Sequence, residues 1–171
     1  MIEGALPVVM KFFQRLRDLA DRIIELDVDL LVANIMRKPE VQEFILDMVK
    51  NDQLFNEGES YLSVKLDTIG GEYSDATIDG IFGVFEGKKQ RGLPFDRVTL
   101  FNEGDFYDSF EIDIGLKTWQ FDADYDKDGT DLRKRWGDEI VGLNQENLQR
   151  LINELREKII EGLRREFGIA A

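Results

Sequence analysis

The sequence predicts an α+β protein with N-terminal helices, a central antiparallel sheet carrying a long glycine-rich loop, and a long C-terminal helix. Three observations predict it. Apolar residues recur at steps of three and four through residues 1–50 and again after residue 131. The stretch between them is rich in glycine and alternates with a period of two. Finally, 171 residues with 43% hydrophobic content suffice for one sizeable core. The chain accordingly divides into a helical region, 1–50, and an α+β core with the C-terminal helix, 51–171, the two folding together as one domain.

Taken in order, Val9, Phe12, Phe13, Leu16, Leu19, Ala20, Ile23 and Ile24 make residues 7–25 an amphipathic helix, with Pro7 tolerated in its first turn. The run DLLVANIMRK forms a short second helix and stops before Pro39, because the residue preceding a proline disfavours helical backbone. Pro39 opens a third helix, PEVQEFILDMVKND. Four segments alternate as half-buried strands do: residues 61–67 (YLSVKLD), 76–86 (ATIDGIFGVFE), 106–115 (FYDSFEIDIG) and 118–124 (TWQFDAD). Glycines 70, 71, 80, 83, 87 and 92 mark turns, and the basic run EGKKQRGLP, with Lys88 and Lys89, reads as an exposed loop tip. Beyond it, TDLRKRWGDEIVGL is a helix that Asp131 or Thr130 can cap. Asn144 caps the last helix, whose stripe is Leu148, Leu151, Ile152, Leu155, Ile159, Leu163 and Phe167, and Gly168 ends it. The blocks LFNEGESYLSVKLD (54–67) and LFNEGDFYDSFEID (100–113) repeat one another, either as two turns that share a backbone need for Asn and Gly or as a shared recognition motif.

Composition narrows the chemistry. The chain holds no cysteine and no histidine, so disulfides, Cys/His zinc sites, thiol nucleophiles and imidazole bases are all out of reach. Carboxylate pairs such as Asp105 with Asp108, or Glu111 with Asp113, could serve as acid and base, but 35 acidic residues bring some together by chance, and a non-enzyme is expected. No run approaches the roughly 18 apolar residues of a membrane span, and charges interrupt the N-terminal segment where a signal peptide needs an apolar centre. The net charge of −13 is concentrated: residues 51–130 hold 18 acids and 7 bases, or −11 of the total. Such a surface repels phosphate and argues against sequence-specific nucleic-acid binding, while suiting a wall past which DNA moves without sticking.

Two candidate sites emerge. Asp124, Asp126, Asp128 and Gly129 fit the opening D-x-D-x-D-G of a calcium loop, to which Thr130 would add its backbone carbonyl. The twelfth position, where a bidentate glutamate belongs, is Arg135, and Asp131 replaces the apolar residue that usually pairs such loops through a short strand. The loop is therefore either a calcium site of a binding module, with calcium the one possible cofactor, or an acidic turn leading into a capped helix. The second site is an interface. In a strand, Phe106 and Phe110 face one side and Tyr107 the other, so one face of the aromatic cluster is expected to be core and the other an interface, for which Phe106, Tyr107, Phe110, Trp119, Lys88 and Lys89 are the candidates.

The segments TLFNEGDFYDSFEIDIG and DLRKRWGDEIVGLNQENLQRLINELREKI resemble a family of small bacteriophage and prophage proteins, mostly from phages of Bacteroidetes. Leu100, Phe101, Gly104, Phe106, Tyr107, Ser109 and Phe110 match the pattern L-[YF]-x-T-G-x-F-Y-x-S-F. Gly137, Ile140, Gly142, Leu143, Glu146 and Asn147 match Y-G-x-x-I-[FL]-G-L-x-x-E-N, and the likeness covers roughly residues 40–165. Asn102-Glu103 and Trp136 depart from the family's residues. More distantly the first block is similar to tail-completion and virion-morphogenesis proteins of tailed phages. The resemblance implies a virion structural protein, a neck or head-to-tail connector subunit that forms a homo-oligomeric ring and contacts portal or tail proteins. It would reside in the virion, and in the host cytoplasm during assembly.

Overall fold

The computed structural model describes residues 6–127 and 129–168, with side chains from Gln14 onward. Helices dominate, and they are joined by three small antiparallel hairpins, so the α+β class holds. In chain order, α1 (Leu6–Glu25) and α2 (Val28–Met36) precede α3 (Pro39–Asp47), which runs without a break into a π-helical stretch, Met48–Glu57. Then come α4 (Leu66–Gly70), α5 (Asp75–Asp79), β1 (Gly80–Ile81), β2 (Phe85–Glu86), α6 (Asp105–Asp108), β3 (Glu111–Ile114) and β4 (Trp119–Asp122). The chain closes with β5 (Asp126–Lys127), β6 (Thr130–Asp131), α7 (Leu132–Trp136) and the long α8 (Gln145–Phe167).

The capping chemistry follows the sequence. Asp27, Ser74, Asp131 and Asn144 each accept a backbone N–H in the first turn of α2, α5, α7 and α8. Gly58 ends the π-helical stretch, and Gly168 ends α8, in the left-handed conformation that a side chain would resist. No break marks residue 50, so the N-terminal helical region extends to Glu57.

The strands pair as two-stranded antiparallel hairpins. Residues 76–86 fold as α5 and the β1–β2 hairpin, and β3 and β4 fall within 106–115 and 118–124, pairing Glu111 with Asp122 and Ile114 with Trp119. Residues 61–67 instead form a turn, in which Ser63 takes a positive φ and the Ser60 N–H donates to the Val64 carbonyl, before Leu66 opens α4. Their alternation misleads because only Leu66 is buried, while Tyr61, Leu62 and Val64 stay exposed. Phe106 and Tyr107 lie in the single helical turn of α6, and Phe110 follows its C-cap, Ser109, with its N–H on the Tyr107 carbonyl (3.3 Å), so the alternation of a strand does not apply to them. All three rings are buried together.

Two apolar clusters make the core. The first gathers Leu54, Leu66, Val98, Phe106, Tyr107, Phe110, Trp136 and Ile140. The second packs Ile35, Val41, Ile45 and Met48 from the N-terminal helices on Ile114, Leu151 and Leu155. Between them lies a buried polar knot. Gln53, 1% exposed, donates its amide to the Gly142 carbonyl (2.9 Å) and accepts the Asn144 N–H (2.8 Å). Asn147 donates to the Met48 carbonyl (3.3 Å). Replacing Gln53 with Ala orphans two buried backbone groups, and the expected loss is about 2 to 4 kcal/mol in chemical denaturation.

Tyrosines fix the loop that leads into α6. Leu100 holds a positive φ, and the Tyr73 hydroxyl accepts the N–H groups of Thr99 (3.0 Å) and Leu100 (3.2 Å). The buried Tyr107 hydroxyl donates to the Thr99 carbonyl (2.6 Å). Burial, and secondarily Tyr73, pushes the Tyr107 pKa far above its ordinary 10.0. A phenol raised in this way keeps its proton in the fold after the unfolded chain has lost it, so its contribution is full below about pH 10 and declines as pH rises further. Urea unfolding of Tyr107→Phe is expected to show about 1 kcal/mol less stability near pH 8, and a shallower decline above about pH 10 than the parent chain.

Candidate assembly surface

The most exposed apolar side chain on the described surface, Phe82, lies at the tip of the β1–β2 hairpin. Phe82 is wholly exposed (106%) and Val84 nearly so (73%), with Ile81 and Phe85 half open beside them. The chain folds this way for local reasons. Gly83, at φ +72°, occupies the third position of a turn closed by the Val84 N–H on the Ile81 carbonyl (2.9 Å). At the stem, Gly80 and Gly87 approach so closely that a Cβ on either would run into the other's backbone. The stem is pinned to α5 by the Lys88 N–H on Thr77 (3.0 Å) and the Lys89 N–H on Ile78 (3.0 Å).

Lys88 is not the exposed tip residue that the sequence suggested. It is buried, its ammonium donates to the Phe101 carbonyl, and it lies 4.6 Å from the centre of the Tyr73 ring. The aliphatic stem and the aromatic face make burial tolerable there, and the charge anchors the hairpin to the core. Lys89 does reach the surface, where it pairs with Asp79 (3.8 Å) and lies over Phe95.

The aromatic interface also needs correction. Phe106, Tyr107 and Phe110 are 4–5% exposed and belong to the first cluster, for the reason given above. Trp119 alone of the predicted rings stays partly open. It lines a groove of about 340 Å³ between α2 and the β3–β4 turn, with Val32, Ala33, Met36, Ile114 and Leu116. At the mouth, Lys117 pairs with Asp29 (2.9 Å), and that bond raises the lysine pKa. The Arg37 guanidinium donates to the Ile114 carbonyl (3.0 Å) and ties the end of α2 to β3.

A third uncovered feature is α1, where Leu16, Ile23 and Ile24 are exposed along the described part of the predicted stripe. The periodicity that predicts the helix also predicts a buried face, and within this single chain that part of the face is open. The hairpin tip gave a weaker signal. The run GIFGVF between glycines alternates like a strand, and its lack of polar residues is the only mark of an exposed tip.

The acidic loop is closed by its own backbone. The Asp124 carboxylate accepts the Asp126 N–H (3.0 Å), and the Asp126 carboxylate accepts the Gly129 N–H (2.9 Å); Asp128 lies outside the described residues. The short strand pair does form, Asp126 with Asp131 and Lys127 with Thr130, despite the acidic residue in it. Arg135, at the twelfth position, turns to the carbonyls of Gly70 (2.8 Å) and Glu72 (3.3 Å) and stacks on Trp136. Among the described residues no three acidic side chains converge as an ion's ligands would, so the described donors do not complete a calcium cage. Asp126→Ala is expected to lower the melting temperature equally in calcium and in EDTA. A loss confined to calcium would instead make the loop a metal site.

Among the described residues no helix is long and apolar enough to cross a membrane. No protein-family model, curated protein or solved structure matches the chain.

Proposed function

We propose that this chain is a non-catalytic structural subunit of a tailed-phage virion, a neck, head-to-tail connector or tail-completion protein that works as a homo-oligomeric ring. The observation that carries the reading is the amount of apolar surface one chain leaves uncovered: the tip at Phe82 and Val84, the α1 stripe, and the groove at Trp119. Contiguous exposed apolar groups on a folded chain mark contact surfaces. The charge supports the same reading. A surface dominated by carboxylates in residues 51–130 would let DNA pass a ring wall without adhering. The lack of His and Cys leaves few catalytic groups, and the sequence blocks around Phe106 and Gly142 resemble those of phage proteins.

The test is genetic and structural. Deleting the gene from the phage that carries it is expected to leave filled heads and free tails that do not join, with the protein found at the head–tail junction of intact particles by antibody labelling. Normal infectious particles from the deletion would overturn the proposal.

A further inference from the structure

We propose that the cavity bounded by α5, β2, the loop around Asn102 and α7 binds a small organic anion, a single carboxylate on a flat apolar body. The cavity holds about 350 Å³, within the roughly 300–1,000 Å³ of small-molecule sites. Tyr73, Phe85, Phe101, Leu132 and Trp136 make its walls largely aromatic. Lys88 belongs to the same lining, and it is the residue that points to a ligand. The site does not depend on the structural-subunit reading, and either can fail alone.

An ammonium carries three donors and a full charge, and its burial is tolerated where both find partners. Lys88, at 4% exposure, meets one carbonyl, that of Phe101, and one ring face, that of Tyr73. The neighbouring ion pairs go elsewhere: Lys89 takes Asp79 and Lys127 takes Asp105, and no carboxylate of the described residues pairs with Lys88. Both of its partners line the cavity, so the charge is held in the wall with donors to spare for an incoming anion. Arg91 fixes the loop that carries the Phe101 carbonyl, donating to the Asn102 side chain and carbonyl (2.6 Å each).

The lining also limits the ligand. Glu86 and Glu103 are exposed members of it, so they stay hydrated and form no ion pair with the buried ammonium. One buried ammonium matches one negative charge, whereas a second charge on the ligand would meet those two carboxylates. A monoanionic carboxylate is favoured over a phosphate dianion for that reason. The flat body follows from the rings around it, which stack on or meet another ring edge to face.

The test uses the full chain and three probes: benzoate, benzamide, which keeps the ring and drops the charge, and acetate, which does the reverse. Amide chemical shifts of Thr77, Lys88 and Phe101 are expected to move saturably with benzoate, with a Kd of about 1 mM. Benzamide and acetate are each expected to bind about tenfold more weakly, or less well still. Lys88→Met keeps the aliphatic stem, and it should cut benzoate affinity about tenfold while leaving benzamide unchanged. Glu103→Gln, at an exposed position that does not threaten folding, should tighten benzoate about twofold at low salt and leave benzamide unchanged. Benzoate shifts that stay linear to about 20 mM, or that either control probe reproduces at equal concentration, overturn the site. A folded Lys88→Met that binds benzoate as the parent does also overturns it. Where that variant does not fold, a Glu103→Gln chain with unchanged benzoate affinity has the same force.

Discussion

The side chain of Gln53 holds the two halves of this fold in register. The amide stands where the π-helical stretch passes the entry to α8, and its two bonds, to the Gly142 carbonyl and the Asn144 N–H, join segments about ninety residues apart. A π-helix shifts its hydrogen bonds by one residue relative to an α-helix, which changes the face each side chain presents. Met48 accordingly serves the second cluster, while Val49 and Leu54 serve the first. The Asn147 amide on the Met48 carbonyl binds the first turn of α8 to the same stretch. The knot adds directional bonds to the packing of Phe121 and Leu143, which touch both clusters, while α8 packs chiefly on the second and α4 and α7 on the first.

Helices were legible from the sequence because their signals are local: a cap, a period of 3.6, a proline or glycine at the end. The long α8 begins and ends within a residue of where Asn144 and Gly168 place it. The middle was not legible in the same way. In FYDSF the spacing of Phe106 and Phe110 is compatible with a period of two and with a helical turn, and the left-handed Gly104 with the packing of Tyr107 on Phe101, Phe106 on Tyr125 and Phe110 on Phe106 decides for the turn. The near repeat resolves in the same terms. Gly58 and Gly104 both take positive φ, while the chain around one ends a helix and around the other begins one. What the two blocks share is a backbone need for glycine, and Phe55 and Phe101 at matching places meet edge to face, 5.4 Å apart.

Several residues of the blocks around Phe106 and Gly142 shape the interior. Phe106, Tyr107 and Phe110 are core, Gly142 supplies the carbonyl that Gln53 needs, and Asn147 ties down the π-helical stretch. Motif residues of this kind encode architecture, so they do not indicate which surface meets a partner. That explains why the sequence-based interface fell on buried rings. The exposed features, the tip at Phe82 and the groove at Trp119, lie apart from the matched positions.

Charge and apolar exposure then divide the work between them. Interactions between exposed charges fade beyond a Debye length of about 8 Å at physiological salt, so a net charge of −13 acts on whatever comes close and hardly beyond. Burial of apolar groups is not screened in this way. On this surface the open apolar groups, Phe82, Val84 and Trp119, are what a contact could bury, while the exposed carboxylates act on what comes near. In the acidic turn from Asp122 to Asp131, whose acids lie outside the groove lining, Asp124, Asp126 and Asp131 hold the turn and the α7 cap in shape.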